Sequence, residues 1–101
     1  MNKYILLQIC RREERLNLAI IVYNLSETRV VITNKWDRLK LFLENDITFF
    51  KKYAERLINS PPSYKYLEKK NWNMNVIQRG VKGTSLLPLD ALIEELEDMY
   101  L

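Results

Sequence analysis

Short apolar runs separated by polar clusters mark the first part of the chain as strand-forming. The runs cover residues 3–10, 16–24 and 29–34 and are rich in Ile, Leu and Val, which is typical of strands. A charged cluster at 11–15 and the turn-forming residues of Asn24–Thr28 separate the runs. Because these connections are short, we predict an antiparallel meander.

In the middle of the chain the apolar positions recur at three- and four-residue steps, the spacing of amphipathic helices. This spacing predicts a short helix over 37–43 and a longer one over 46–59, in which Phe50 and Leu57 share a face. The prolines at 61 and 62 end the longer helix, because proline has no amide hydrogen to donate.

The remainder of the chain is predicted to supply one more strand and one more helix. Residues 64–70 form one or two helical turns, 73–79 form a fourth strand, and the last helix begins at Pro88. This order, β-β-β-α-α-β-α, predicts a single α+β domain over residues 1–101. Its antiparallel sheet has about four strands, with the helices packed on one face.

Charge is unevenly distributed along the chain. The net charge is +3, yet residues 90–101 contain acidic side chains and no basic one. The acidic residues are Asp90, Glu94, Glu95, Glu97 and Asp98. A basic body with an acidic final helix has two interpretations: the body binds an acidic partner, or the two charges neutralise each other in the fold.

The composition excludes several kinds of catalytic and metal site. The chain has no histidine and one cysteine, Cys10, which lies in an apolar run and is predicted to be a small buried side chain. An internal disulfide, a zinc site and histidine-dependent triads are therefore excluded. The acids that a metal-dependent nuclease would use are Glu13, Glu14, Asp37, Glu44 and Asp46. Their spacing gives no indication of convergence, so we predict that the protein is not an enzyme and has no cofactor.

The chain is predicted to be cytoplasmic and to make no membrane contact. No apolar run approaches the roughly 20 residues that span a bilayer, and the single cysteine fits a reducing compartment. The apolar stretch after Lys3 is too short for a signal peptide and includes Gln8.

The segment 14–23 carries a short motif in which Glu14 and Asn17 precede an aliphatic run. It resembles the Glu-x-x-Asn-x-Gly motif of a family of short bacterial and phage domains whose function is unassigned, and a looser likeness of layout covers nearly the whole chain. Ala19 stands where that family has glycine, and Arg12-Glu13 stands where it has Arg-Gly. The resemblance implies an α+β fold and a prokaryotic or phage origin, and it implies no activity.

Glu14 and Asn17 are three residues apart, so on a regular strand their side chains point to opposite faces. They could hold one ligand together only if a bulge lay between them. The favoured interpretation is structural: Asn17 satisfies backbone groups near the start of the strand. Glu14 is then expected to pair with Arg11, Arg12 or Arg15.

A basic surface interleaved with aromatic rings is the first candidate for partner binding. Its residues are Lys51, Lys52, Arg56, Lys69, Lys70 and Trp72. With Tyr64 and Tyr66 nearby, this surface suits stacking on single-stranded bases and attraction of phosphates. In the other interpretation the lysines form a solvated helix face and the rings belong to the core.

The glycine-containing segment 79–85 is predicted to be a loop and is the second candidate site. Backbone amides around Gly80, Gly83 and Thr84 could receive an anion, with Lys82 as the counter-charge. The spacing differs from that of a nucleotide-binding P-loop. An ordinary turn before a helix is therefore the favoured interpretation.

The predicted function is stoichiometric binding of a protein partner, as an inhibitor or adaptor of phage or mobile-element origin. Eleven aromatic residues are many for so small a core, and the edges of an open sheet can pair with another chain. The alternative is a nucleic-acid-binding accessory protein that uses the basic surface. Formation of a homodimer is left open.

Overall fold

The computed structural model describes residues 1–11, 13–69 and 77–101. Its strands and helices are β1 (Asn2–Arg11), β2 (Glu14–Tyr23), β3 (Thr28–Ile32), α1 (Trp36–Leu43), α2 (Ile47–Asn59), α3 (Tyr64–Lys69), β4 (Ile77–Ser85) and α4 (Leu89–Tyr100). A single 3-10 turn, Glu44–Asp46, joins α1 to α2. The strands form one antiparallel sheet in the order β3-β2-β1-β4. The α+β class, the four-stranded antiparallel sheet and the order of elements are confirmed, with the predicted helical turns at Tyr64–Lys69 forming a third helix between β3 and β4.

The two central strands are buried on both faces, which corrects the expectation that all helices pack on one face. On one face, Ile5, Leu7 and Ile21 join the core formed with α1, α2 and α3. On the other face, Leu6 and Ile20 join a second core formed with α4. Burial on both faces explains the continuous apolar runs of β1 and β2, because a strand covered on both sides needs apolar residues at successive positions.

Helix α4 covers its face of the sheet with one apolar stripe. Leu89, Leu92 and Leu96 recur at three- and four-residue steps and are all buried. Pro88 precedes the first helical residue, as the sequence predicts. Within residues 1–11, 13–69 and 77–101, the structure has no helix of the length and apolar character needed to span a bilayer.

A β-bulge in β2 sets which side chains point to which core. Leu7 pairs with Ala19 and Gln8 pairs with Asn17, so Leu18 is an extra residue in β2. Leu18 and Ala19 consequently both reach the core beneath α1–α3. The bulge follows Asn17, so it does not bring the side chains of Asn17 and Glu14 to the same face.

Strand β4 extends beyond the predicted end at residue 79, because the 79–85 segment is strand rather than loop. It pairs antiparallel with β1, with Tyr4 opposite Gly83. A Cβ at Gly83 would overlap the Tyr4 hydroxyl, and one at Gly80 would lie 2.6 Å from Oε1 of Gln8. The glycines thus leave room for side chains that lie across the strand. Residues 73–76 of the predicted strand are outside the described residues.

We expect Gly83→Ala to destabilise the fold because the new methyl group displaces the Tyr4 ring. Overpacking of this kind costs about 1–3 kcal/mol in the free energy of unfolding, measured by urea denaturation. In a Tyr4→Ala background the same change should be neutral or stabilising, since alanine suits a strand better than glycine by about 0.5–1 kcal/mol. An equal cost in both backgrounds would show that the tyrosine is not the cause.

Candidate functional site

The predicted basic surface is divided by the geometry of α2. Phe50, Ala54 and Leu57 face the core, which leaves Lys52 and Arg56 exposed one turn apart on the same side of the helix. Successive residues differ by about 100° around a helix, so Lys51 points elsewhere. Its ammonium group lies 5.7 Å from the centre of the Trp36 ring in α1, a cation–π contact.

A groove opens where α2 ends and α3 begins, on the side that carries Arg56. We call it the α2–α3 groove; it is lined by Tyr53, Arg56, Leu57, Ser60, Pro62, Ser63 and Tyr66 and has a volume of about 470 Å³. The prolines create it, because they stop α2 and let the chain turn before α3 starts. None of the described residues that line the groove is acidic.

Two tyrosines give the α2–α3 groove its apolar walls. Tyr66 keeps 49% of its surface exposed, while Tyr53 is half-buried. Burial, and secondarily the neighbouring Tyr66 phenol, raise the pKa of the Tyr53 hydroxyl. The two rings are thus neighbours, and Tyr53 stays neutral at any physiological pH. The sequence singles out Tyr66 but not Tyr53, whose position three residues before Arg56 is the signal that could have revealed it.

The remaining predicted basic residues are distributed as follows. Lys69 is exposed one turn after Tyr66 on α3, as Lys52 is one turn before Arg56 on α2. Lys70 and Trp72 lie outside the described residues. Arg56 is the basic residue among the described residues that line the groove; together with the exposed Lys52 and Lys69, it makes up what we call the basic rim.

Tyr64, the other tyrosine of this region, belongs to a polar cluster that fixes α3 to the sheet. Lys3 donates to Oε1 of Glu68 at 2.6 Å and to the Tyr64 hydroxyl at 3.1 Å. The Tyr23 hydroxyl donates to the same Glu68 oxygen at 3.3 Å, and its ring meets that of Tyr64 edge to face. Because α3 carries Tyr66, this cluster also positions one wall of the α2–α3 groove.

Contacts within this cluster favour the charged forms of Lys3 and Glu68 and the neutral form of Tyr23. The hydrogen bond that Lys3 donates to Glu68, followed by the one that it donates to Tyr64, raises the pKa of Lys3, and Lys3 in turn lowers the pKa of Glu68. Burial first, and then the Glu68 charge, raise the pKa of Tyr23 to about 12. Lys3 and Glu68 are therefore both charged at neutral pH while Tyr23 is neutral.

The predicted anion loop is corrected by the structure. Gly80, Lys82, Gly83 and Thr84 are strand residues of β4 that pair with or lie beside β1. A phosphate cradle needs successive amides that converge on one point, as a turn provides. A strand directs its amides alternately to its two sides, so this segment lacks that arrangement.

A second concavity, the hairpin cleft, brings together three of the acids considered for catalysis. Glu13, Glu14 and Glu44 line it beside Arg11 and Arg38, and its volume is about 800 Å³. Within the described ranges, no three acidic or cysteine side chains lie close enough to hold a metal ion. Charges of both signs share this cleft, so it offers no uniform field to a charged ligand.

Glu14 and Asn17 lie on opposite faces, and Asn17 has a structural role. Its side-chain amide donates to the carbonyl of Tyr100 at 2.8 Å and accepts a hydrogen bond from Gln8 at 2.9 Å. Asn17 therefore does bond to a backbone group, but to one at the end of α4 and not near the start of β2. Arg11, one of the three arginines expected to pair with Glu14, lies opposite Glu14 in the sheet but forms an ion pair with Asp46 at 3.2 Å. Arg12 is outside the described residues.

No protein-family model matches this chain, and no curated protein or solved structure is significantly similar to it. The resemblance of the 14–23 segment stays a prediction.

The Lys3–Glu68 pair predicts a specific pH dependence of stability. The folded state lowers the pKa of Glu68 below its usual 4.5, so the stabilisation is present above that pH and is lost as pH falls through the folded value. We expect Lys3→Met to lower the urea midpoint at neutral pH and to weaken its decline on acidification. Lys40→Met, at an exposed position of α1, should leave the profile unchanged. Parallel profiles of the wild type and Lys3→Met would contradict this assignment.

Glu44 is the position where we predict a stabilising substitution. It ends α1 with φ 52° and ψ −118°, a backbone conformation that glycine adopts without strain. Glu44→Gly should raise the free energy of unfolding by about 1 kcal/mol. Glu97→Gly, inside α4, should lower it by about the same amount. Urea denaturation of both variants tests this, and a less stable Glu44→Gly would contradict it.

Proposed function

We propose that the protein is a non-enzymatic binding protein whose α2–α3 groove holds an acidic segment of a protein partner. The observation that carries the proposal is the composition of that groove: tyrosine, leucine and proline walls, a basic rim, and no acid among the described residues that line it. An occupant that complements it has an apolar anchor flanked by carboxylates. The single cysteine suits a reducing compartment, and we propose that binding occurs in the cytoplasm.

The residue types of the groove are those that contribute most to binding at protein interfaces. Tyrosine and arginine are enriched among the few residues whose truncation weakens a complex strongly. Arg56 is exposed at the rim and offers a planar guanidinium that matches a carboxylate with two parallel hydrogen bonds. Tyr53 and Tyr66 offer large surfaces that lose little side-chain freedom on binding.

Single-stranded nucleic acid is a second candidate, favoured by one observation. Phe49 and Tyr66 expose 58% and 49% of their surfaces, and Phe49 lies one turn before Lys52 on α2. Exposed rings beside cations can stack on bases while the cations attract phosphates. The acidic residue Glu55 interrupts the cations of α2, however, and a concave apolar site suits an anchor side chain better than a continuous strand.

The first test is selection of peptides from a displayed random library on the folded protein. We expect enrichment of peptides in which acidic residues flank an apolar one. Arg56→Glu and Tyr66→Ala should each weaken their binding by about tenfold or more, as for interface residues of this kind. Lys51→Glu is the matched control, because it makes the same charge change on the other side of α2. Fluorescence anisotropy measures the affinities, and circular dichroism verifies folding.

A labelled oligothymidylate measured in parallel separates the two candidates. Binding of the oligonucleotide that is lost in Arg56→Glu, with no peptide enriched, would replace the protein partner by nucleic acid. Peptides that bind Arg56→Glu and the wild type equally would remove the α2–α3 groove as the site. A library that yields no binder, together with no oligonucleotide binding, would overturn both candidates.

A further inference from the structure

Opposite charges are segregated to the two helical layers of the molecule. Helix α4 exposes carboxylates along its outward side; these are Asp90, Glu94, Glu95, Glu97 and Asp98. Within the described part of the chain, Asp90 is the one carboxylate of α4 in an ion pair, which it makes with Arg29. The basic rim formed by Lys52, Arg56 and Lys69 lies in the layer on the opposite face of the sheet.

This arrangement prevents the two charged surfaces from neutralising each other within one molecule. A helix packed on each face of a sheet places the two layers on the order of 20 Å apart. Charges in solution are screened beyond about 8 Å at physiological ionic strength. Among the described residues, Arg29–Asp90 is the one ion pair that joins α4 to the rest of the fold. This favours the other interpretation of the charge asymmetry, in which the basic layer binds an acidic partner.

Helix α4 itself has the features that the α2–α3 groove requires of an occupant. Met99 exposes 61% of its surface. Glu95 precedes it by one turn on the same side of the helix, and Asp98 is exposed beside it. A flexible apolar side chain flanked by carboxylates is the complement of a groove with tyrosine walls and a basic rim.

We propose that the occupant of the α2–α3 groove is helix α4 of a second copy of this chain. Met99 enters the groove between Tyr53 and Tyr66, where its thioether contacts the edges of the rings. This inference rests on the proposed function, for which it names the partner.

Carboxylates around the anchor supply the electrostatic part of the contact. Glu95 faces Arg56 of the other copy, and Asp98 faces Lys52. Both basic side chains are exposed on α2. Because these are surface ion pairs, the association weakens as the salt concentration rises.

The position of the two surfaces determines the form of the assembly. They lie on opposite faces of one sheet, so two copies cannot use both contacts at once in a closed two-fold dimer. Each contact is head to tail and leaves one groove and one α4 unoccupied, and such contacts add further copies. The mean mass in solution therefore rises with protein concentration.

Sedimentation velocity on the wild type and on two blocked variants tests the proposal. Arg56→Glu blocks the groove, and Met99→Glu blocks the anchor by introducing a charge where an apolar side chain must be buried. We expect the wild-type mass to increase with concentration at low salt, while each variant stays monomeric. An equimolar mixture of the variants has one intact groove and one intact anchor, so it should reach twice the monomer mass and stop there.

Exchanging the charges of Arg56 and Glu95 makes the test specific to the proposed ion pair between them. Glu95→Lys should abolish association, and the double variant Arg56→Glu/Glu95→Lys should restore it. Glu94→Lys is the matched control, since it makes the same charge change about 100° away on α4 and should leave association unchanged. Circular dichroism of each variant separates a lost contact from a lost fold.

The possible outcomes discriminate between this inference and the proposed function. A wild type that stays monomeric at several hundred micromolar, or an association that survives both blocking substitutions, would overturn self-association through the groove. If displayed peptides still bind in an Arg56-dependent way, the partner is another protein and the proposed function stands. If neither peptides nor a second copy bind, both proposals fail.

Discussion

Covering both faces of the β1–β2 pair is the constraint on which the rest of the structure depends. Successive residues of these strands are apolar, so the sheet has two faces that must be removed from water. Helices α1–α3 cover one face and α4 covers the other. The bulge at Leu18 directs both Leu18 and Ala19 into the core beneath α1–α3. The hydrogen bond from Asn17 to the Tyr100 carbonyl holds the end of α4 on the other face.

Each of the two helical layers has its own outward surface, and the two surfaces differ in shape and in charge. The layer of α1–α3 is interrupted at Pro61 and Pro62, and this interruption opens the α2–α3 groove beside Arg56. The single helix α4 has no such break and presents a continuous acidic side. Because the sheet separates them, the opposite charges of these two surfaces do not neutralise each other, so each surface is available to a partner. Lys3 and Glu68 contribute indirectly by holding the α3 wall of the groove in place.

The sequence predicted those strands and helices whose pattern of apolar residues lies within a single segment of the chain. The spacing of apolar residues located β1, β2 and α2 to within a few residues, because each has its own run or stripe. Strand β4 was harder to predict, since glycines such as Gly80 and Gly83 usually mark a loop, whereas here they leave room for the side chains of Gln8 and Tyr4 on β1. The face covered by α4 could have been inferred from the unbroken apolar runs of β1 and β2. The α2–α3 groove could not have been inferred from the sequence, because it depends on how α2 and α3 meet.

The pairing of late segments with early ones has a consequence for biosynthesis. Strand β1 receives β4 on its free edge, and the second face of β1 and β2 is covered by α4. Until residues 77–101 have left the ribosome, Leu6, Ile20 and Val22 have no helix to cover them and β1 has an open edge. Until then the nascent chain exposes an apolar surface and an unpaired strand, the combination that recruits chaperones and promotes aggregation. Ribosome stalling before residue 77 would leave a chain prone to aggregate.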